Sequence, residues 1–329
     1  MSEGVSTTGG GEVLTIKVFM LTYNHEAFIQ QAIDSVFMQR TRHRVQLVIG
    51  EDASTDRTRE IVLANKERYG DRITLILSER NKGTSHVSFP VWEECLRDSD
   101  MVALVEGDDY WTDPGKLELQ ADTVLRTGAS LCFTNAWNET PEGQRSDYVR
   151  AWLGESGIRD RYGEAELING NFIPLAGMLI NNRPRFDLFG DLKDRPVMDL
   201  MINLALAQRG PLVYIDRPMA VRRMHAGGMF SMANRQYKLQ YNLDLLPHIN
   251  AMTGNRYAGQ VALRRAGLLR QSFDAAVQAS DLALAKKRWQ ELSDMPTEAK
   301  PDTKTLRRLF MLSHWPRLTK VIGRLRGAK

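Results

Sequence analysis

The residues most able to do chemistry in this chain fall into two acidic clusters. One is Glu51-Asp52-Ala53-Ser54-Thr55-Asp56; the other, Glu106-Gly107-Asp108-Asp109, ends an all-apolar run at 101–105. Carboxylates packed together repel, and at neutral pH a raised pKa or a bound cation relieves them. Oxygen ligands of this kind suit Mg2+ or Mn2+, which take one or two carboxylates from protein and complete their shell with water and phosphate oxygens. A nucleoside diphosphate compound is therefore a natural ligand. Asp, Ser and Gly are also ordinary turn residues, so each cluster alone has a purely structural reading as well.

The elements that must position these clusters alternate along the chain. Residues 16–23, 45–49, 73–77, 101–105 and 131–136 read as strands. Helical stripes run through 26–39, 55–69 and 87–97, with Ser54 or Thr55 as N-cap of the second. A further helix begins at Asp113-Pro114 and stops at Gly128. Strands alternating with helices predict an α/β fold: a Rossmann-like, mostly parallel sheet covered on both faces. In such a sheet ligands bind at the carboxyl ends of the strands. Four stretches are thereby brought to one edge: Thr22-Tyr23-Asn24-His25-Glu26, the Glu51 cluster, Arg80-Asn81-Lys82-Gly83 and the Glu106 cluster.

Farther on, 138–170 reads as loops and short elements, and 172–181 and 212–215 as strands around a helix at 197–208. Residues 236–294 read as several helices. The expected organisation is a flexible 1–14, a catalytic domain over 15–235, a helical region over 236–300 and a basic amphipathic tail over 301–329. No internal repeat is visible.

Composition excludes several classes. The chain has 329 residues, 43% hydrophobic and 26% charged, which argues against disorder and low complexity. Two cysteines, Cys95 and Cys132, are too few for a disulfide framework and fit a reducing compartment. No apolar run approaches the ~18 residues that span a bilayer, and 1–11 lacks the pattern of a signal peptide, so a cytoplasmic protein is expected. The net charge of +4 is unevenly placed: 301–329 holds eight Lys and Arg against Asp302 alone, leaving the body mildly acidic. Nucleic acid is thus not an expected partner. Leu306, Leu309 and Phe310, then Leu318, Val321, Ile322 and Leu325, give the basic tail an apolar side, as in a helix lying on an anionic membrane. A terminal helix packed on the protein would carry the same pattern.

G-x-G-x-x-G after a strand, G-x-x-x-x-G-K-[ST] and G-x-S-x-G are all missing, which disfavours dinucleotide, P-loop and α/β-hydrolase chemistry. Taken in order, the motifs resemble glycosyltransferase family 2, of GT-A fold. They are Thr22-Tyr23-Asn24; Glu51 to Thr58 in place of D-D-G-S-T-D-x-T; Asn81-Lys82-Gly83; and Glu106-Gly107-Asp108-Asp109-Tyr110-Trp111 with Asp113-Pro114 and Lys116-Leu117 for the D-x-D region. The resemblance covers roughly residues 15 to 230.

It implies an inverting, metal-dependent transfer from a nucleotide-diphosphate sugar to a glycan or lipid-linked acceptor, with surface polysaccharide synthesis as the expected setting. Thr22, Tyr23, Asn24 and Glu26 would line the nucleotide, with Glu51, Asp52 and Lys82 beside it. Asp108 and Asp109 would hold Mn2+ or Mg2+, and Asp108 would also approach the nucleotide. Asp199, at a helix start, would be the base, with Asp191 and Asp194 as alternatives. Met224-His225-Ala226-Gly227-Gly228 resembles the family's R-x-H-x-G-G segment, so Arg223 and His225 would meet the diphosphate and His225 the metal. Glu51 and Glu106 each replace an aspartate. Ala53 replaces a glycine, which argues against a left-handed backbone there. Trp111 and Trp137 are expected in the core. The rivals are a nucleotidyltransferase, whose glycine- and arginine-rich first loop is missing here, and a degenerate GT-A binding module.

Overall fold

The computed structural model describes residues 12–183, 185, 190, 199–225, 227, 233–296, 299–300 and 302–314. Asp191, Asp194, Ala226, Gly228 and the tail beyond His314 lie outside the described residues, as does nearly all of 1–14. The chain divides into two compact units, 1–163 with 171–224, and 164–170 with 225–329.

The first unit is built on one sheet. Its strands are β1 (Thr15–Thr22), β2 (Arg44–Glu51), β3 (Ile73–Leu77), β4 (Met101–Leu104), β5 (Tyr110–Trp111), β6 (Leu131–Glu139), β7 (Arg145–Asp147), β8 (Arg161–Tyr162), β9 (Met178–Asn181) and β10 (Leu212–Arg223). They lie in the order β3-β2-β1-β4-β9-β6-β10-β5, with β7 on β6 and β8 on β10. β3, β2, β1 and β4 pair in parallel, as do β6 and β10, while β9 enters antiparallel between β4 and β6. The expected α/β sheet is thus present, but it is mixed: β5, β7, β8 and β9 pair antiparallel, and β9, within the strand expected over 172–181, runs against its neighbours.

Buried strands explain the apolar runs. β1 reads Thr-Ile-Lys-Val-Phe-Met-Leu-Thr and is buried at seven of its eight positions, because both faces are covered. The helices are α1 (Ile29–Phe37), α2 (Thr58–Tyr69), α3 (Thr84–Leu96), α4 (Lys116–Thr127), α5 (Tyr148–Leu153), α6 (Glu164–Leu167), α7 (Asp199–Ala207), α8 (Arg235–Met252), α9 (Ala258–Gln278), α10 (Leu282–Ser293) and α11 (Thr303–His314). α1 lays Ile29, Ala32, Ile33 and Val36 on the sheet. α4 buries Leu117, Ala121 and Val124 and stops at Gly128 in the left-handed region, as expected. β10 runs far past the expected 215: its pairing with β6 shifts register around Pro218, and the strand resumes through Arg223. That irregularity hid its second half from a reading by alternation.

The second unit is helical, as expected for 236–294. Leu269, Phe273, Ala285, Leu292 and Leu309 form its core, with Trp289 and Leu312 against them. Glu164 of α6 joins it by accepting from Arg256 Nη2 at 2.8 Å and Tyr257 Oη at 3.2 Å. In α11, Leu309 is buried and Phe310 packs on Trp289, while Lys304, Arg307 and Arg308 face solvent. Within the described tail, the apolar side is therefore covered by the bundle. No described helix is long and apolar enough to cross a membrane.

Candidate active site

The acidic loop after β4 is laid against the end of β1. Val105 N–H donates to the Phe19 carbonyl at 3.0 Å, and Gly107 N–H to the Leu21 carbonyl at 2.8 Å. A Cβ at Gly107 would sit 2.6 Å from Thr22 Oγ1 and 3.1 Å from His25 Nδ1, so glycine alone permits this approach. Asp108, half-buried, then lies with Oδ2 3.7 Å from His25 Nε2, while His25 Nδ1 is 3.3 Å from Thr22 Oγ1. Asp109 is buried and its Oδ1 accepts the Arg223 N–H at 2.9 Å.

Electrostatics show how tightly these acids are grouped. Burial raises the Glu106 carboxyl well above the usual range, and the charges of Asp108, Asp199 and Asp109 raise it further. Burial, then Asp108, raises Asp109. Asp199 stands in the first turn of α7 with its surface open to solvent. Protein crowding around its carboxyl nevertheless raises the pKa, with Arg222 pulling the other way. Open surface and a desolvated carboxyl coexist where a group lines a concave site. Unrelieved repulsion among oxygen donors, with an imidazole alongside, fits a divalent cation such as Mn2+ or Mg2+.

The loops after β1, β2 and β3 are braced to one another by residues expected to touch nucleotide. Asn24 Oδ1 accepts Thr55 N–H at 2.8 Å, and Asn24 N–H donates to Ser54 Oγ at 3.0 Å. Glu26 takes the Arg57 N–H at 2.9 Å and gives its own N–H to Asp56 at 3.0 Å. Asp52, almost fully buried, accepts the N–H groups of Lys82 at 3.0 Å and Gly83 at 2.8 Å, which fixes the third loop. Thr22 is buried too, whereas Tyr23 is 40% exposed and Lys82 stands in solvent. Tyr23, Asn24, Glu26 and Lys82 are thus all exposed, with the side chains of Asn24 and Glu26 spent on bracing the loops.

Two expectations are corrected. Glu51 is fully buried: it accepts Ser54 N–H at 2.6 Å and pairs with Arg59, which also donates to the Ser78 carbonyl at 2.6 Å. It is a structural ion pair, and no surface of it remains for a nucleotide. Ala53 does adopt the left-handed backbone, with φ of 57°, because the turn that lets Glu51 capture Ser54 N–H demands it. Arg223, expected to meet a diphosphate, also holds the acidic loop. Its Nη1 donates to the Asp108 carbonyl at 2.6 Å, its Nη2 pairs with Gln31, and its guanidinium lies over the Phe28 and Tyr110 rings at 5.0 and 4.3 Å.

Two residues carry no assignment from sequence. His25 reaches Asp108 only because β1 and β4 are neighbours, which a lone histidine in a loop does not reveal. Arg222, beside Arg223 on the strand, is the guanidinium whose charge reaches Asp199 and Asp109. His225 follows two residues after Arg223 and begins the second unit. Trp111 is core, as expected, its Nε1 donating to the Ala176 carbonyl at 2.8 Å.

Likeness to known proteins decides the family: residues 17–180 match Glycosyl transferase family 2. This domain belongs to that family. An uncharacterized protein of Mycobacterium tuberculosis is 30% identical over 222 residues, which is 66% of this chain and 61% of that one. The chain thus spans about three-fifths of the length of the curated relatives it matches first. An uncharacterized glycosyltransferase of Nostoc sp. is 29% identical over 107 residues, 32% of this chain and 31% of its own. Among solved structures, S. aureus TarS 1–349 in complex with UDP-GlcNAc superposes with a TM-score of 0.63 at 15% identity, covering 86% of this chain and 82% of that one. A mannosyltransferase from Pyrobaculum calidifontis in complex with GDP-Man and Mn2+ gives 0.52 at 16%, covering 92% and 86%. These likenesses show that the family 2 domain has the GT-A fold.

Proposed function

We propose that this family 2 domain transfers a sugar, with inversion, from a nucleotide-diphosphate sugar to a hydroxyl of a glycan or lipid-linked acceptor, in surface polysaccharide synthesis. The observation that carries the reading is the meeting of Glu106, Asp108 and Asp109 with Asp199 at one sheet edge, three of the four with raised carboxyl pKa. Nucleotide sugars in the solved structures of similar fold, UDP-GlcNAc and GDP-Man, support the donor class.

In this reading the exposed Tyr23 ring receives the base and Lys82 lies beside the nucleotide. Asp108 and Asp109 hold Mn2+ or Mg2+, with His25 and His225 as nitrogen donors. A cation held by these residues would supply neutralisation of the charge on the departing diphosphate. Asp199 takes the proton of the acceptor hydroxyl as its oxygen attacks the anomeric carbon and the bond from that carbon to the diphosphate oxygen breaks. Its raised pKa makes Asp199 a stronger base than an ordinary aspartate. Arg222 tempers that rise. The exposed Lys304, Arg307 and Arg308 supply an electrostatic foot for an anionic membrane surface at the inner face of the cytoplasmic membrane, where a lipid-linked acceptor would sit.

Incubation with Mn2+, a panel of nucleotide sugars and candidate acceptors, followed by phosphorus NMR, tests the reading. Free nucleoside diphosphate is expected. Nucleoside triphosphate and sugar 1-phosphate, formed only when pyrophosphate is added, would instead mean nucleotidyl transfer.

A further inference from the structure

Trp152, one turn after Tyr148 on the helix α5, leaves 55% of its surface in solvent. Tyr148 packs on the core of the first unit, and the Arg222 guanidinium sits 6.0 Å from its ring centroid. Burial pushes the Tyr148 hydroxyl up to about 12, and the charges of Asp199 and Asp109 reach it. The short helix α5 that carries both aromatics is fastened at two strands. Asn135 of β6, fully buried, donates to Asp147 at 2.7 Å and accepts Val149 N–H at 3.2 Å. Arg150 forks onto Asp216 of β10 at 2.8 and 2.7 Å.

Strand order places this aromatic on the flank opposite the nucleotide loops. Tyr23 follows β1, and β6 lies three positions away across β4 and β9, roughly 14 Å at ordinary strand spacing. The acids that follow β4 come from between them in the strand order. An indole has only two side-chain torsions to immobilise on binding, and its apolar face suits the C–H face of a sugar ring.

We infer that Trp152 is the stacking platform for a pyranose ring of the acceptor glycan, carried on the same short helix as the Tyr148 that meets Arg222. This assignment rests on the proposed glycosyl transfer for the word acceptor, but carbohydrate binding is testable without it. Saturation-transfer NMR on the full chain would use the methyl glycosides of glucose, galactose, mannose and N-acetylglucosamine as probes. Calorimetry with UDP and GDP plus Mn2+ would run beside it. At least one glycoside should show transfer concentrated on one ring face, at least fivefold weaker in Trp152→Ala and at least half restored in Trp152→Phe, with nucleotide affinity within twofold throughout. Equal signal in Trp152→Ala, or no glycoside bound by the wild type, overturns the platform. A concentration-dependent dimer lost in Trp152→Ala, with no glycoside signal, assigns the indole to a second copy of the chain and overturns it as well. Absence of nucleotide binding with intact glycoside binding counts against the proposed transfer and leaves the platform standing.

Discussion

Single residues carry distinguishable duties at this edge. Asp199→Asn should lower transfer by about 10²–10⁴-fold, the range for loss of a general base, with UDP or GDP affinity unchanged; retained turnover would move the base elsewhere. His25→Ala should weaken Mn2+ more than Mg2+, because imidazole favours the softer ion, and the nitrogen couplings of Mn2+ in pulsed EPR should diminish. Equal loss for both ions would remove His25 from the coordination shell. Gly107→Ala forces a Cβ to 2.6 Å from Thr22 Oγ1, and a loss of about 1–3 kcal/mol in urea unfolding is expected. Ala53→Gly should act in the opposite sense, since an L-residue at φ 57° is strained by about 1–2 kcal/mol. The acidic types and their order were legible in the sequence, but their partners were not. Nothing in the spacing of Glu51 and Arg59 says that they pair in the interior, nor that Arg223 grips the Asp108 carbonyl.

At the scale of elements, α4 carries a cation into the core. Lys116 is fully buried, its Nζ donates to Gln120 at 2.8 Å and lies 4.3 Å from the Trp111 ring centroid. Gln120 in turn donates to the carbonyls of Cys132 at 3.0 Å and Gly177 at 2.8 Å, tying α4 to β6 and to the segment before β9. Burial lowers the Lys116 pKa from 10.5 to about 7. Between those values the unfolded chain binds a proton that the folded chain does not, so stability rises with pH across the window and falls toward pH 7. Wild-type stability relative to Lys116→Met should rise by about 2 kcal/mol from pH 7.5 to 9; a flat difference would show that the lysine stays charged in the fold. Alternation and capping make β1 to β4 and α4 readable from the residue pattern alone. β9 was unreadable as antiparallel, because its short apolar sequence fits either direction. The break in β10 at Asp216-Arg217-Pro218 concealed a strand that ends in both arginines of the site.

For the molecule as a whole, the basic tail is a charged face on a packed helix within its described part. The apolar side of α11 is occupied by Trp289 and its neighbours, which periodicity alone could not distinguish from a side kept for lipid. Binding to phosphatidylglycerol vesicles should therefore be electrostatic: weakened by replacing Lys304, Arg307 and Arg308 with Gln, and largely abolished near 0.5 M salt, on the order of a 4 Å screening length. Salt-insensitive binding would contradict this. In the proposed function, donor binding, transfer and the placing of the acceptor would all depend on a metal-dependent nucleotide site at the sheet edge. That site is tested most directly by thermal unfolding with UDP, GDP, dTDP and CMP, each with and without Mn2+, in the wild type and in Asp108→Ala. A ligand that binds only the folded state raises its stability. One nucleotide should raise the melting temperature only with Mn2+, and the effect should vanish in Asp108→Ala, which melts like the wild type without ligand. No shift with any of the four, or a shift that Asp108→Ala retains, would contradict it.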